Sequence, residues 1–199
     1  GGPELPGSGS FPLLYACNDT GNTGYITGSF MQSNYHALAV HLFKNRRWGI
    51  LQPSCLCVGL PGGVEEARLR ATAAFMSGGQ IDISDDLTSL PEDRWQILTA
   101  TLPPSSVTAR PVDLFDPVTE PSVADYEGSC KGEADGKAAP APREHPAGSI
   151  WHARVDAGWD RWDLVAIFAF SGGDAWNKPS QSSFAIPLAM LGLDTAGSL

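Results

Sequence analysis

The side chains that could do chemistry gather at the ends of a few short apolar runs. Asp19 lies in the stretch NDTGNTG, directly after Phe11–Cys17 (FPLLYAC), and is the only carboxylate between Glu4 and Glu65. A carboxylate there can move a proton at a ligand, or it can simply build the turn, because Asp readily bonds its own backbone. Asp85 and Asp86 follow the alternating run QIDIS (residues 80–84). They can line a pocket, or they can satisfy loop amides ahead of the next helix. Cys55 and Cys57 stand two apart in a strand-like stretch, so their side chains share a face. Neither they nor Cys17 and Cys130 form a C-x-x-C pair, and no histidine cluster accompanies them. Free buried thiols are expected, with no metal site, cofactor or disulfide framework. DTGNTG lacks the bidentate Glu of a calcium loop. His36, His41, His145 and His152 are scattered and receive no catalytic role.

Regular elements must carry these groups. Phe11–Cys17 reads as a buried strand. A helix starts near Ser29 or Ser33 and runs to about Asn45, with Met31, Tyr35, Leu38 and Leu42 as its buried stripe. Lys44, Arg46 and Arg47 then suit its negative end. Leu51–Val58 reads as one strand. Glu65 and Glu66 open a second helix whose apolar face is Val64, Ala67, Ala71, Ala74 and Phe75, stopped by Gly78 and Gly79. In QIDIS, Ile81 and Ile83 point one way, Asp82 and Ser84 the other. Ser89 and Glu92 have capping-box spacing for a third helix, which buries Trp95, Leu98 and Leu102 and ends at Pro103. Strand and helix alternate three times, which implies parallel strands with right-handed crossovers.

After Pro104 the pattern changes. PVDLF (111–115) is a short strand, and residues 117–149 form a polar, Pro-, Ala- and Glu-rich surface excursion. SIWHARV alternates, AGWD turns the chain, and WDLVAIFAF and SSFAIPL follow as strands of an antiparallel sandwich. Trp151, Trp159, Trp162 and Trp176 can be a sugar-stacking platform, although alternation favours the core reading.

The 199 residues suffice for one or two domains, and 42% of them are hydrophobic. No run approaches the ~20 apolar residues of a membrane span, so no membrane association is expected. Residues 1–10 read as a Gly-, Pro- and Ser-rich loop with no secretory leader. The net charge of −9, from 22 acidic and 13 basic residues, argues against a nucleic-acid partner and suits a neutral ligand. Compartment and oligomeric state are not written in the sequence.

Two stretches carry a resemblance. WGILQPSCLCVGLPGGVEEARLRATAAFMSGGQIDISDDLTSLPEDRWQILTATLPP (48–104) is similar to the last two β/α units of α-galactosidase-type (melibiase) glycoside hydrolases. There, a strand ending in W-N-D-P-D-M-L precedes a glycine-rich turn and a Glu-, Arg- and Ala-rich helix, then a strand ending in S-N/D-D-L. RWDLVAIFAF and IPLAMLGLD resemble strands of that family's terminal sandwich. The resemblance implies an α/β plus all-β chain: residues 1–108 as terminal units of a TIM barrel, residues 109–199 as an antiparallel β-sandwich with the 117–149 insertion. Three units fall short of a barrel of about 250 residues, so the carboxyl-terminal part of an enzyme is expected.

The implied function is part of a retaining glycoside hydrolase acting on α-linked sugars, with a carbohydrate as partner and no activity in this piece alone. A non-catalytic, carbohydrate-associated or degenerate relative is the alternative. Retaining enzymes use two carboxylates about 5 Å apart. The family's nucleophile lies on an earlier strand than any present here, and Asp19 is the candidate acid/base. Gln52 and Ser54 stand where the family has the two aspartates of N-D-P-D, and Cys55 replaces its methionine. Ser54, Cys55 and Asp85 are the expected sugar contacts, without the charge the aspartates would supply. Tyr15 takes the place of the arginine that usually precedes the acid by four residues.

Overall fold

A computed structural model describes residues 10–17, 28–59, 63–115, 117–120, 143–146, 148–168 and 186–193, with backbone alone for 28–34, 117–120 and 143–146. Asp19, Cys130, Trp176 and most of the 117–149 stretch lie outside these residues.

The first half alternates as expected: β1 (Leu13–Tyr15), α1 (Gly28–His41) running into a 3-10 turn (Leu42–Lys44), β2 (Ile50–Gln52), β3 (Cys55–Leu56), α2 (Val64–Ser77), β4 (Asp82–Ile83) and α3 (Glu92–Thr101). β1 pairs parallel with β2, and β3 pairs parallel with β4. The expected single strand over 51–58 is therefore two. Pro53 has no amide to donate, and Ser54 adopts a left-handed φ of 70°. At this break the chain changes neighbours, from β1 on one side to β4 on the other. The amide of Gln80 bonds the carbonyl of Leu51 (2.7 Å), so three parallel segments lie side by side in chain order.

The residues explain their elements. In α1, Tyr35, Leu38 and Leu42 are buried at the expected steps. Burying one such leucine stabilises the fold by roughly 2 kcal/mol. In α2, the Glu66 carboxylate accepts the Gly63 amide (3.0 Å), and Gly78 ends the helix at φ 61°. A Cβ on Gly78 would come 2.6 Å from the carbonyl of Val107, so glycine is required there. α3 begins without the expected Ser89 cap. Asp86, a charged acceptor just upstream, takes the Ser89 hydroxyl (3.1 Å) together with the Thr88 amide and hydroxyl. Ile97 and Leu98 are buried in α3, Trp95 packs beside them, and Leu102 is exposed. Lys44 is buried against the rings of Phe43 and Trp48, a cation–π arrangement beyond the expected helix-end charge.

The second half holds β5 (Arg110–Pro111), β6 (Pro117–Glu120), β7 (Arg143–Pro146), β8 (Ile150–Asp156), β9 (Arg161–Ile167) and a 3-10 turn (Leu188–Leu191). β5, β8 and β9 form an antiparallel sheet, and β5 ends at Pro111, so the expected strand over 111–115 is a turn from Val112 onward. Two further corrections apply. The ends of the 117–149 excursion pair with each other, β6 against β7. At the other end, Leu188 opens the 3-10 turn, so the expected strand SSFAIPL does not reach it.

Trp151, Ala153, Ala166 and Phe168 share one sheet face and pack on Tyr35, Leu38, Leu42, Leu51 and Met76. This core crosses the expected boundary at 108/109. Trp151 is fully buried, whereas Trp159 and Trp162 sit at the β8–β9 hairpin, exposed by 82% and 37%. On the opposite sheet face, Asp163 accepts from His152 (2.6 Å) and Arg154 (3.0 Å).

Asn45 joins the halves. Its Oδ1 accepts the Leu51 amide (2.9 Å), and its Nδ2 donates to the Ser77 carbonyl (3.0 Å) and the Thr108 hydroxyl (2.7 Å). Asn45→Ala is expected to cost about 3 kcal/mol, because buried partners lose their bonds. The readout is a lowered urea midpoint at unchanged slope. Asp163 yields a pH prediction. The His152 hydrogen bond, aided by Arg154, holds its carboxyl below the ordinary value. A depressed folded pKa stabilises fully above the unfolded value of about 4 and less as pH falls below it. Asp163→Asn should therefore flatten the loss of stability below about pH 4, measured by acid titration of the unfolding midpoint.

Candidate functional site

The parallel segments have two unlike faces. Leu14 and Leu51 point to the helices and join the core. Their neighbours Leu13 and Ile50, which pair across the ladder, point away and are 47% and 46% exposed. Tyr15 and Gln52 continue this outer face towards the carboxyl ends of the strands. All-parallel sheets are normally covered on both faces, so an apolar, open face is unusual.

Polar groups collect at the carboxyl end of that face. The Tyr15 hydroxyl donates to Ser54 Oγ (3.0 Å), Gln52 Nε2 donates to Asp82, and Gln80 Nε2 donates to the other oxygen of Asp82. Beyond them Cys57 Sγ lies 3.1 Å from Ser84 Oγ. Burial raises the Cys57 thiol's pKa, against a smaller lowering by the Ser84 bond. The thiol is thus held protonated and is a poor nucleophile. Cys17, Cys55 and Cys57 are half-buried.

The expected site residues divide. Ser54 is buried and, with Cys55, lines a cavity between α1, α2 and the strands. Asp85 points elsewhere: its carboxylate accepts the amides of Val58 (3.0 Å) and Gly59 (2.7 Å), tying the end of β3 to the end of β4. Arg94, buried in α3, reinforces this junction by donating to the carbonyls of Val58 (2.8 Å) and Gly63 (3.2 Å). The strand ends that carry Tyr15, Ser54 and Asp85 are thereby neighbours. Asp19 lies outside the described residues.

Two residues given no sequence role stand out. Asp82 is the carboxylate between the two glutamines, and the alternation of QIDIS had set it beside Ser84. Arg70 is 6% exposed and lines the same cavity as Ser54. Its sequence signal was its position, three residues after Ala67 and four before Ala74, on the apolar stripe of α2.

Among the described residues, no group of three His, Cys, Asp or Glu could hold a metal ion, and no helix is long and apolar enough to cross a membrane. Comparison with family models, curated proteins and solved structures finds no match for the chain.

Asp85→Ala should loosen the rim by removing two charge-assisted bonds, at a cost of about 2 kcal/mol. Hydrogen exchange should accelerate at the Val58 and Gly59 amides, with Leu51 unaffected.

Proposed function

We propose that the chain forms the carboxyl-terminal part of a glycoside hydrolase of the α-galactosidase type, whose strand ends make one wall of a pocket for an α-linked sugar. The supporting observation is the open face of the parallel segments. It is apolar at Leu13 and Ile50 and carries a hydroxyl and an amide at Tyr15 and Gln52, with Asp82 at its edge. Further strands would cover the apolar part, as in a barrel whose polar residues collect at the carboxyl-terminal rim. Neutral hydrogen-bonding groups on an acidic chain suit an uncharged polyol. In this reading Ser54 and Cys55 complete the rim, Asp85 holds it in shape, and Asp19 is the acid/base candidate.

A second reading, sugar binding without hydrolysis, has its own support. The carboxylates of Asp82, Asp85 and Asp86 are all engaged by donors from this chain. The rings of Trp159 and Trp162, 6.0 Å apart and tilted by 41°, offer an exposed aromatic surface.

The 199-residue chain is expected not to hydrolyse 4-nitrophenyl α-galactoside, since half of the carboxylate pair is missing. The longest natural polypeptide containing these residues should hydrolyse it, and Asp19→Asn in that polypeptide should lower kcat by 10²-fold or more, a typical contribution of acid–base catalysis (roughly 10²–10⁴). Turnover by the short chain, or unchanged kcat in Asp19→Asn, overturns the assignment. Saturable binding of the galactoside by the long polypeptide without turnover favours the second reading.

A further inference from the structure

The cavity behind the rim poses a problem of charge. Its walls are Tyr35 and Leu38 of α1, Pro53 to Leu56 of the strand break, and Arg70, Ala73 and Ala74 of α2. It opens to solvent at its mouth, and its enclosed part has room for about one water molecule. Arg70 is 94% buried here, and its Nε has no hydrogen-bond partner. No carboxylate lies within ion-pair distance of it among the described residues. Glu66, one turn earlier on α2, directs its carboxylate to the Gly63 amide.

A buried guanidinium costs several kcal/mol unless an anion and hydrogen bonds compensate it. Arginine's planar fork of donors matches a phosphate or carboxylate group in two-point geometry. Buried ionisable groups without internal partners also cluster at functional sites. We propose that this cavity binds a small oxyanion, a phosphate or carboxylate group, with the Arg70 guanidinium as its counter-charge. Ser54 and Tyr35 supply hydroxyls to the same walls. Burial pushes the Tyr35 phenol well above its ordinary pKa, so it remains protonated. Ser54 is common to both readings; otherwise the inference rests on the helical side of the strands and does not depend on the glycosidase reading.

The experiment follows thermal unfolding of the purified chain in sodium phosphate, sodium acetate and sodium chloride at one ionic strength. Arg70→Met serves as control, a flexible apolar side chain that keeps the α2 stripe filled. For the wild type the midpoint should rise by about 3–5 °C for each tenfold increase of the recognised anion above its Kd. In Arg70→Met that dependence should vanish, and its midpoint in chloride should match or exceed the wild type's. A response to phosphate, acetate or both identifies the recognised group. No anion dependence in the wild type, or an equal dependence in Arg70→Met, overturns the proposal. Should Arg70→Met fail to fold, Arg70→Lys decides: it keeps the charge but loses the fork, so an undiminished response would equally overturn it.

Discussion

The structure turns on one buried asparagine. Asn45 sits where α1 ends, β2 begins, α2 ends and the chain leaves for the antiparallel sheet, and each of those segments arrives with a polar group that needs a partner. The Leu51 amide requires an acceptor, while the Ser77 carbonyl and Thr108 hydroxyl require donors. Only an amide side chain of this length meets all three, because Asp lacks the donors and Leu lacks both kinds of group. The buried junction is fully satisfied, which makes a polar network stabilising in a low-dielectric interior. It fixes β2 relative to α2 and holds Thr108, two residues before β5. The aromatic cluster of Tyr35, Trp151 and Phe168 then closes over the same ground.

Anchoring β2 at Leu51 has consequences along the strand. Residues before Pro53 belong to the β1 ladder, and residues after Ser54 belong to the β4 ladder. The left-handed Ser54 absorbs the change, a backbone choice unfavourable for a residue with a side chain and maintained by the surrounding packing. The hydroxyl bond from Tyr15 links the end of β1 to this residue, and Asp85 links β3 to β4 one step further on. The rim is thus built from cross-links between strand ends.

Much of this was legible in the sequence. The α1 stripe, the Gly78 stop and the burial of Trp151 follow from spacing that the packing obeys. The break at Pro53–Ser54 was signalled by proline, yet the apolar residues on both sides made one strand the simpler reading. The Ser89 cap failed because its hydroxyl is turned back to donate to Asp86, and the helix takes its N-cap two residues later, at Pro91. Trp159 and Trp162 left the core because alternation assigns a face without saying how far along a strand the packed layer extends. Asn45 was invisible, and Arg70 was marked only by its place on the α2 stripe, for a related reason. A helix pattern marks an apolar stripe, while a polar residue at its edge gains meaning only from segments distant in sequence.

The two kinds of charge at the rim have opposite fates. Asp85 and Asp86 collect amide and hydroxyl donors from their own loops, and Asp82 collects two glutamine amides. Such carboxylates are internally compensated, and a ligand would have to displace existing bonds to use them. Arg70 has no such arrangement, although the chain as a whole carries a net charge of −9 and has carboxylates to spare. The nearest on its helix, Glu66, is held at the helix start by the Gly63 amide, where the macrodipole also favours it. An uncompensated cation among compensated anions directs negative charge to the helical side of the strands. The neutral hydrogen-bonding surface stays on the open side, so the two faces of one short strand break are suited to chemically different ligands.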